Sequence, residues 1–382
     1  MNKFFLGSKV KKSKDSEAVV EKQEKILVPK RQFFASISLK NRIMFIKQMS
    51  VLIRAGVPLL SSLYMLQKQS KSKSVNKIIG QIIKDVENGQ YLATALGKFR
   101  KIFGELTINI ISIGEISGTL SDNLDHLVAT LKKQQSLKRK VISASVYPIF
   151  IIIATLTITV MLTVFFFPKI IPIFKSVNYD LPWTTKFLIF MSDSMRLHGL
   201  LISLVAIALI IGIFFLLKIK KVRFWYDKTL ITLPLIKNLT QVYNAANICR
   251  TLGLLLNSGV VVVRSFQITS NTTTNLVYKR ALNNIADEIV KGEKISYQME
   301  KRKNIFPLSM SQMIAVGEST GKLSETFLYL ADIYEEEMDD ITKNLSTTVE
   351  PLLLIFMGIL VGFVAISIIT PIYGITQHLN PR

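Results

Sequence analysis

The stretch GESTGKLSE, Gly317 to Glu325, restates an earlier one, GEISGTLSD, Gly114 to Asp122. Glycines beside a lysine and hydroxyl residues suggest a phosphate-binding loop, and the spacing rejects it. A P-loop needs four residues between its glycines and Ser or Thr directly after the lysine, where the hydroxyl holds Mg²⁺. Here Gly317 and Gly321 enclose three residues, Leu323 follows Lys322, and the earlier copy has Thr119 in place of the lysine. No buried-strand pattern precedes either copy. The phrase is expected to turn a backbone between two helices, and a nucleotide is not expected on it.

The two copies are offset by 203 positions (317 minus 114), and other landmarks keep that offset. Gly56 maps to Gly259, Gly89 to Gly292, Glu115 to Glu318, Leu120 to Leu323, Pro148 to Pro351 and Pro168 to Pro371. Such a spacing is a duplicated unit rather than a short-period solenoid. Both copies end in a long apolar run.

Half of the 382 residues are apolar (49%), yet the formal net charge is +22. High apolarity with a basic balance reads as an integral membrane protein with cationic polar parts. Nucleic-acid binding would explain the charge but not the apolar runs, and the basic residues are not interleaved with aromatics. The single cysteine, Cys249, lies in an apolar stretch and excludes an intramolecular disulfide. His126, His198 and His378 stand too far apart to suggest a metal cluster. No nucleophile, base or paired carboxylates recur at a catalytic spacing, so neither catalysis nor a cofactor is expected. A membrane enzyme is therefore disfavoured.

Three segments lack charge for long enough to cross a bilayer, where about 20 residues suffice. The expected spans are 141–167, 199–217 and 351–375. Basic residues crowd before the first (Lys132, Lys133, Lys138, Arg139, Lys140) and after the second (Lys218, Lys220, Lys221, Arg223). That bias predicts a cytoplasmic N-terminus, a disordered basic tail over 1–35, cytoplasmic helical domains at 36–140 and 218–350, an outer loop at 168–198 and an outer tail at 376–382. The fold class follows as all-α, with two homologous helical bundles and three transmembrane helices. In the first bundle Phe45, Met49, Leu52 and Ile53 form an apolar stripe that ends at Gly56, with Pro58 opening the next helix. Pro148 and Pro351 are expected near the entries of spans one and three, where a missing N–H is tolerated. Pro168, Pro172 and Pro182 should break up the outer loop, with a short amphipathic helix from about Trp183 to Met195. Gly358 and Gly362 form a small-xxx-small pattern that admits a second helix. Glu350 is either an interhelical partner or an interfacial carboxylate. Glu115 and Glu318 are expected as first-turn carboxylates at a helix N-terminus. The acidic run Glu335, Glu336, Glu337, Asp339 and Asp340 reads first as a solvated helix face, and alternatively as a docking patch for a basic partner.

Taken in order, these features resemble the inner-membrane platform protein of type II secretion and type IV pilus machines, the F-component family. Phe45-x-x-Gln48 with Gly56-Val57-Pro58 is similar to the family's opening motif, and Gly114-Glu115 with Gly118 to its signature phrase. Pro148, Pro168, Leu181-Pro182, Arg250-Thr251-Leu252 and Ser258-Gly259-Val260 follow. Gly317-Glu318 with Gly321, Glu350-Pro351, Gly358, Gly362 and Pro371 complete the match. Val261 stands where the family often has proline, and Lys237 where it usually has glycine after Pro234. The resemblance implies a non-enzymatic platform in the bacterial inner membrane, coupling a cytoplasmic assembly ATPase to pilin-like subunits. It also implies other inner-membrane components as partners, a homo-oligomer, and service to protein secretion, piliation or DNA uptake. In that reading, Arg100 and Lys101 with the Glu335 to Asp340 run are the expected docking charges. A transporter permease is the competing class, since duplicated halves suit it, but its spans should carry polar groups at mid-depth and these carry only scattered Ser and Thr.

Overall fold

The computed structural model describes residues 37–70, 72–175 and 181–379, and among them every element is helical. The expected tail 1–35, the central loop residues 176–180 and the last three residues lie outside the described part. The chain divides into two compact units, one ending at Gly104 and the other beginning at Glu105.

The first unit holds α1 (Leu39–Arg54), α2 (Leu59–Gln69), α3 (Lys73–Glu87), α4 (Leu92–Gly97) and α5 (Arg100–Phe103). Ser38 starts α1 by accepting from the Asn41 N–H at 3.3 Å, and Ser72 caps α3 through Val75. Each hydroxyl satisfies a donor that the first helical turn leaves open. The expected stripe is buried in part: Phe45 and Met49 face the core with Ile46, while Leu52 and Ile53 are half-buried. Arg42 donates to the carbonyls of Ile102 and Phe103 at 3.1 and 3.0 Å, satisfying the end of α5, and burial pushes its pKa down.

The second unit runs through α6 (Glu105–Ser117), α7 (Leu120–Met161), a π turn (Leu162–Phe166), α8 (Phe167–Lys175), α9 (Trp183–Leu216), α10 (Lys220–Thr232) and α11 (Pro234–Asn257). It continues with α12 (Val262–Thr272), α13 (Leu276–Val290), α14 (Ile295–Glu300), α15 (Leu308–Thr320) and α16 (Leu323–Leu379). The 203-residue offset places α2 on α12, α3 on α13, α4 on α14 and α6 on α15, start for start. The glycine turns repeat as well, with φ of 79° and 86° at Gly56 and Gly259 and 74° and 72° at Gly118 and Gly321. Val261, opposite Pro58, holds φ −61° and ψ 147° against −54° and 144°, so valine reaches the same turn without a ring. Duplication and compactness are nevertheless different divisions of the chain. Helices α6 and α7, written in the first copy, pack on α12, α11 and α16 of the second.

Among the described residues three helices are long and apolar enough to cross a membrane: Leu120–Pro172, Trp183–Leu216 and Leu323–Tyr373. The helices change four expectations. Pro148 and Pro351 are not at helix starts but inside α7 and α16. The helix runs on through Pro168 and Pro172 to Lys175, and the π turn contains Val164, whose carbonyl the Pro168 ring would meet in a regular helix. Trp183 opens one 34-residue helix rather than a short amphipathic piece, because nothing from Thr184 to Leu216 interrupts it. Finally, Glu318 lies in the last turn of its own helix α15, and its partner helix is another one. Toward the loop side the spans are joined by a cluster of Phe167, Ile171, Leu188 and Val364, and Thr185 donates to the Ser367 carbonyl at 2.7 Å.

The two glycines of the repeated phrase do different work. Gly321 turns the chain at positive φ with nothing within 4 Å of an added Cβ. Gly317 lies inside α15, where an added Cβ would stand 2.3 Å from Thr326 Oγ1, so it sets how closely α15 meets α16. Substitutions should separate the two. At 321, where conformation decides, Gly321→Asn should cost less than Gly321→Ala, which forgoes about 1–2 kcal/mol. At 317, where volume decides, the order should reverse, with Gly317→Asn above the roughly 1–3 kcal/mol of ordinary overpacking. Melting of the full-length protein in detergent reads both; the same residue order at both positions would contradict the assignment.

Candidate functional site

Among the described residues no group of three or more His, Cys, Asp or Glu is placed to hold a metal ion. What the second unit does hold is an ion cluster around one buried carboxylate, where α7, α11 and α16 meet. Glu335 is 6% exposed. Its Oε1 accepts from Arg250 Nε at 2.9 Å and its Oε2 from Lys133 Nζ at 2.8 Å. Arg250 also pairs with Asp332, and Lys140 pairs with Asp339. Beside them Gln134 donates to Thr251 Oγ1 at 3.2 Å. Burial alone would lower the Arg250 pKa, and its hydrogen bonds to Glu335 and Asp332 outweigh that and hold it above the ordinary value.

Residue numbers rise together along the two helices, from Lys133 with Glu335 to Lys140 with Asp339. Helices α7 and α16 are thus parallel where they approach their apolar stretches. An isolated buried ion is costly in a medium of low dielectric, and pairing removes that cost only in one register. The cluster therefore fixes the axial position of one helix against the other. Below it Leu137, Phe327, Leu330, Tyr334 and Met338 share one apolar core with Cys249 and Leu252 of α11.

This geometry corrects the reading of the acidic run as one solvated or partner-docking face. Glu335 is buried and paired within the chain, and Asp339 is engaged by Lys140. Glu336 and Asp340 stay exposed, and Glu337 is half-buried, its pKa raised by desolvation. The run hides the division because five acids in six positions must point around the whole helix. Sequence reasoning took Lys133 and Lys140 as membrane flanks and missed their partners. The usable signal was Arg250, a lone charge on the apolar face Ala245-Ala246-Cys249-Leu252.

Glu318 has a structural assignment. Its Oε1 accepts from the Ile295 N–H at 2.8 Å, and its Oε2 accepts from the Ser296 N–H and hydroxyl at 3.3 and 2.8 Å. A carboxylate at the start of α14 meets open N–H groups and the positive end of the helix dipole. The expected first-turn position does not hold: Glu318 lies in the last turn of α15 and meets the start of a different helix. Glu115, its counterpart, also has an interaction within the chain. Lys322 is exposed and reaches only Glu325, at 3.6 Å. Arg100 and Lys101 are exposed on α5 of the first unit. Glu350 is exposed on α16, and added Cβ atoms at Gly358 and Gly362 would meet nothing within 4 Å.

A family model described as type II secretion system protein F matches the chain twice, over residues 45–168 and 248–371, with both bounds 203 apart. The chain is 32% identical over 342 residues to the type IV pilus assembly protein PilC of Thermus thermophilus, spanning 90% of this chain and 84% of that one. It is 31% identical over 332 residues to the Pseudomonas aeruginosa protein of the same description, with 86% and 88% covered. The type II secretion system protein F of Vibrio cholerae is 26% identical over 366 residues, 95% and 90% of the two chains.

Two measurements check the cluster. Glu335→Ala leaves the partly buried Arg250 guanidinium with Asp332 alone and should cost about 1–3 kcal/mol, whereas Asp332→Asn, at an exposed carboxylate, should cost under about 1 kcal/mol. Equal melting temperatures for the two variants in detergent would contradict the buried role. Cys249 is fully buried, and desolvation pushes its thiol pKa well up. A water-soluble maleimide should leave the native protein unlabelled and modify it only after denaturation, as mass spectrometry will show.

Proposed function

The chain belongs to the type II secretion system protein F family, and on that premise we propose that it is the inner-membrane platform of a filament-building machine, a type IV pilus or a type II secretion system. The observation that carries the reading is the double match of the family model, each copy ending at a proline inside a membrane-length helix. In this reading the helical regions 36–140 and 218–350 face the cytoplasm, as the basic flanks favour. A cytoplasmic assembly ATPase supplies the work of hydrolysis, and this chain converts it into movement of membrane helices beneath a growing filament of pilin-like subunits. The chain itself carries no catalysis. A filament with repeated subunit sites around an axis favours a platform that self-associates around that axis. The filament built, rather than the platform, decides between piliation, protein secretion and DNA uptake.

The ATPase is proposed to dock by exposed charge, which sets encounter rate and specificity and weakens as salt rises. Arg100 and Lys101 are exposed on α5, and Glu336 and Asp340 on α16. Arg100→Glu with Lys101→Glu, or Glu336→Lys with Asp340→Lys, should reduce capture of the partner ATPase by the full-length protein and impair filament assembly at unchanged abundance. Normal assembly by both variants would remove the charges from the docking surface. Orientation is checked separately, with inert Cys249 providing a silent background: a membrane-impermeant maleimide should label His198→Cys but not Arg100→Cys in intact cells. The opposite pattern would overturn the topology.

A further inference from the structure

Helix α10 follows the second membrane-length helix after three residues, 217–219, and the extended backbone of Ile219 (φ −74°, ψ 120°) separates the two helices. Its two faces differ in chemistry. The inner face is fastened to the bundle: Asp227 is buried and accepts from the Leu276 N–H at 2.8 Å, Arg223 donates to the Thr274 carbonyl at 3.1 Å, and Ile231 enters the core. The Arg280 guanidinium covers Phe224 at 4.6 Å from the ring centroid. These contacts fix the rotation of α10 about its axis.

The outer face therefore cannot turn inward, and it is unlike an ordinary solvated face. Lys221, Trp225, Lys228 and Thr232 lie along it at helical spacing, all exposed, and Trp225 is 71% exposed. Val222 and Tyr226 flank them, also exposed. Among the described residues Lys218, Lys220, Lys221 and Lys228 form no ion pair, and the first turn of α10 contains no acid. Lys218 instead lies over the rings of Phe214 and Phe215 at 4.9 and 4.7 Å, at the end of the span. Aromatic rings with long basic side chains, carried beside a span, match the interface where acyl chains give way to headgroups. Lys228 lies over the Trp225 ring at 5.8 Å, water is a poor neighbour for that ring, and lysines with no carboxylate partner among the described residues favour an anionic one.

We propose that this face of α10 is a binding surface for anionic phospholipid headgroups, with Trp225 seated at the acyl boundary and Lys220, Lys221 and Lys228 on the phosphates. Continuity with the preceding span brings the surface to the bilayer, and its charge selects the lipid. The second unit would then be held against the membrane at a place distinct from α7 and α16.

The test uses the full-length protein with Trp183→Phe, which leaves Trp225 as the sole tryptophan. It is reconstituted into vesicles of phosphatidylcholine with brominated chains, with or without phosphatidylglycerol. In anionic vesicles the emission should shift to shorter wavelength and be quenched by bromine, and both effects should weaken in neutral vesicles or at high salt. Replacing Lys221 and Lys228 by Gln should lower the inserted population roughly fivefold per lysine removed. Unquenched emission that remains open to acrylamide in anionic vesicles would overturn the proposal. Equal quenching in neutral vesicles, or in the lysine variant, would do so too, because charge would then play no part. Exposure in vesicles with shielding only in native membranes would also overturn it, assigning the face to a protein.

Discussion

Glu335 is a carboxylate taken out of water and answered by Arg250 and Lys133, and that constraint governs the second unit. Its partners come from two other helices, so α7, α11 and α16 have one mutual register in which no buried charge is left alone. Replacing such a cluster by apolar residues can leave stability unchanged or improve it. Its contribution is better understood as specifying an arrangement than as adding stability. The apolar core beneath would tolerate a slide of one helix along another far more readily than the ions do. What the register protects is continuity: two parallel helices leave the polar bundle and run, without a break at Pro148 or Pro351, into hydrocarbon.

That continuity gives the proposed platform its mechanics. A bundle joined to its spans by flexible loops could rotate without disturbing them. Here α7 and α16 are at once the last helices of the two copies and the first turns of two spans. Force applied to the polar units would pass along them as along rods, and the Thr185 to Ser367 bond on the loop side would pass it on to α9. The duplication matters because it supplies two equivalent rods. The second unit combines them: α6 and α7 pack on α11, α12 and α16 of the other copy.

Much of this was legible in the sequence, and what was hidden shares a cause. The 203-residue offset announced the duplication, the helices and the positive-φ turns, because each rests on local residues: Gly321 needs no partner to demand a turn. The membrane helices were equally legible, since absence of charge is local too. Hidden were contacts across sequence distance. Glu335 sits in a run of like charges that reads as solvated, and its partners are 85 and 202 positions away. Glu318 reads as a first-turn carboxylate of its own helix, whereas it lies in that helix's last turn and caps one that begins 23 residues earlier. Nor can an internal repeat say which copy a helix will pack against, because both offer the same apolar face. The prolines mislead for a different reason: in sequence they mark span entries and loop breaks, whereas long membrane helices carry them in their interiors.

If the rods transmit movement, stiffness where they enter the membrane is the property on which function turns. The direct measurement is filament assembly, scored as piliation or secretion, by a variant with four glycines inserted between Lys140 and Val141. The insertion leaves the ion cluster, the glycine turns and the exposed charges in place and softens only the junction. Normal abundance and ATPase capture with assembly abolished is the result expected. Assembly at the wild-type level would contradict the account, because the polar bundle and the spans would then work without a rigid connection.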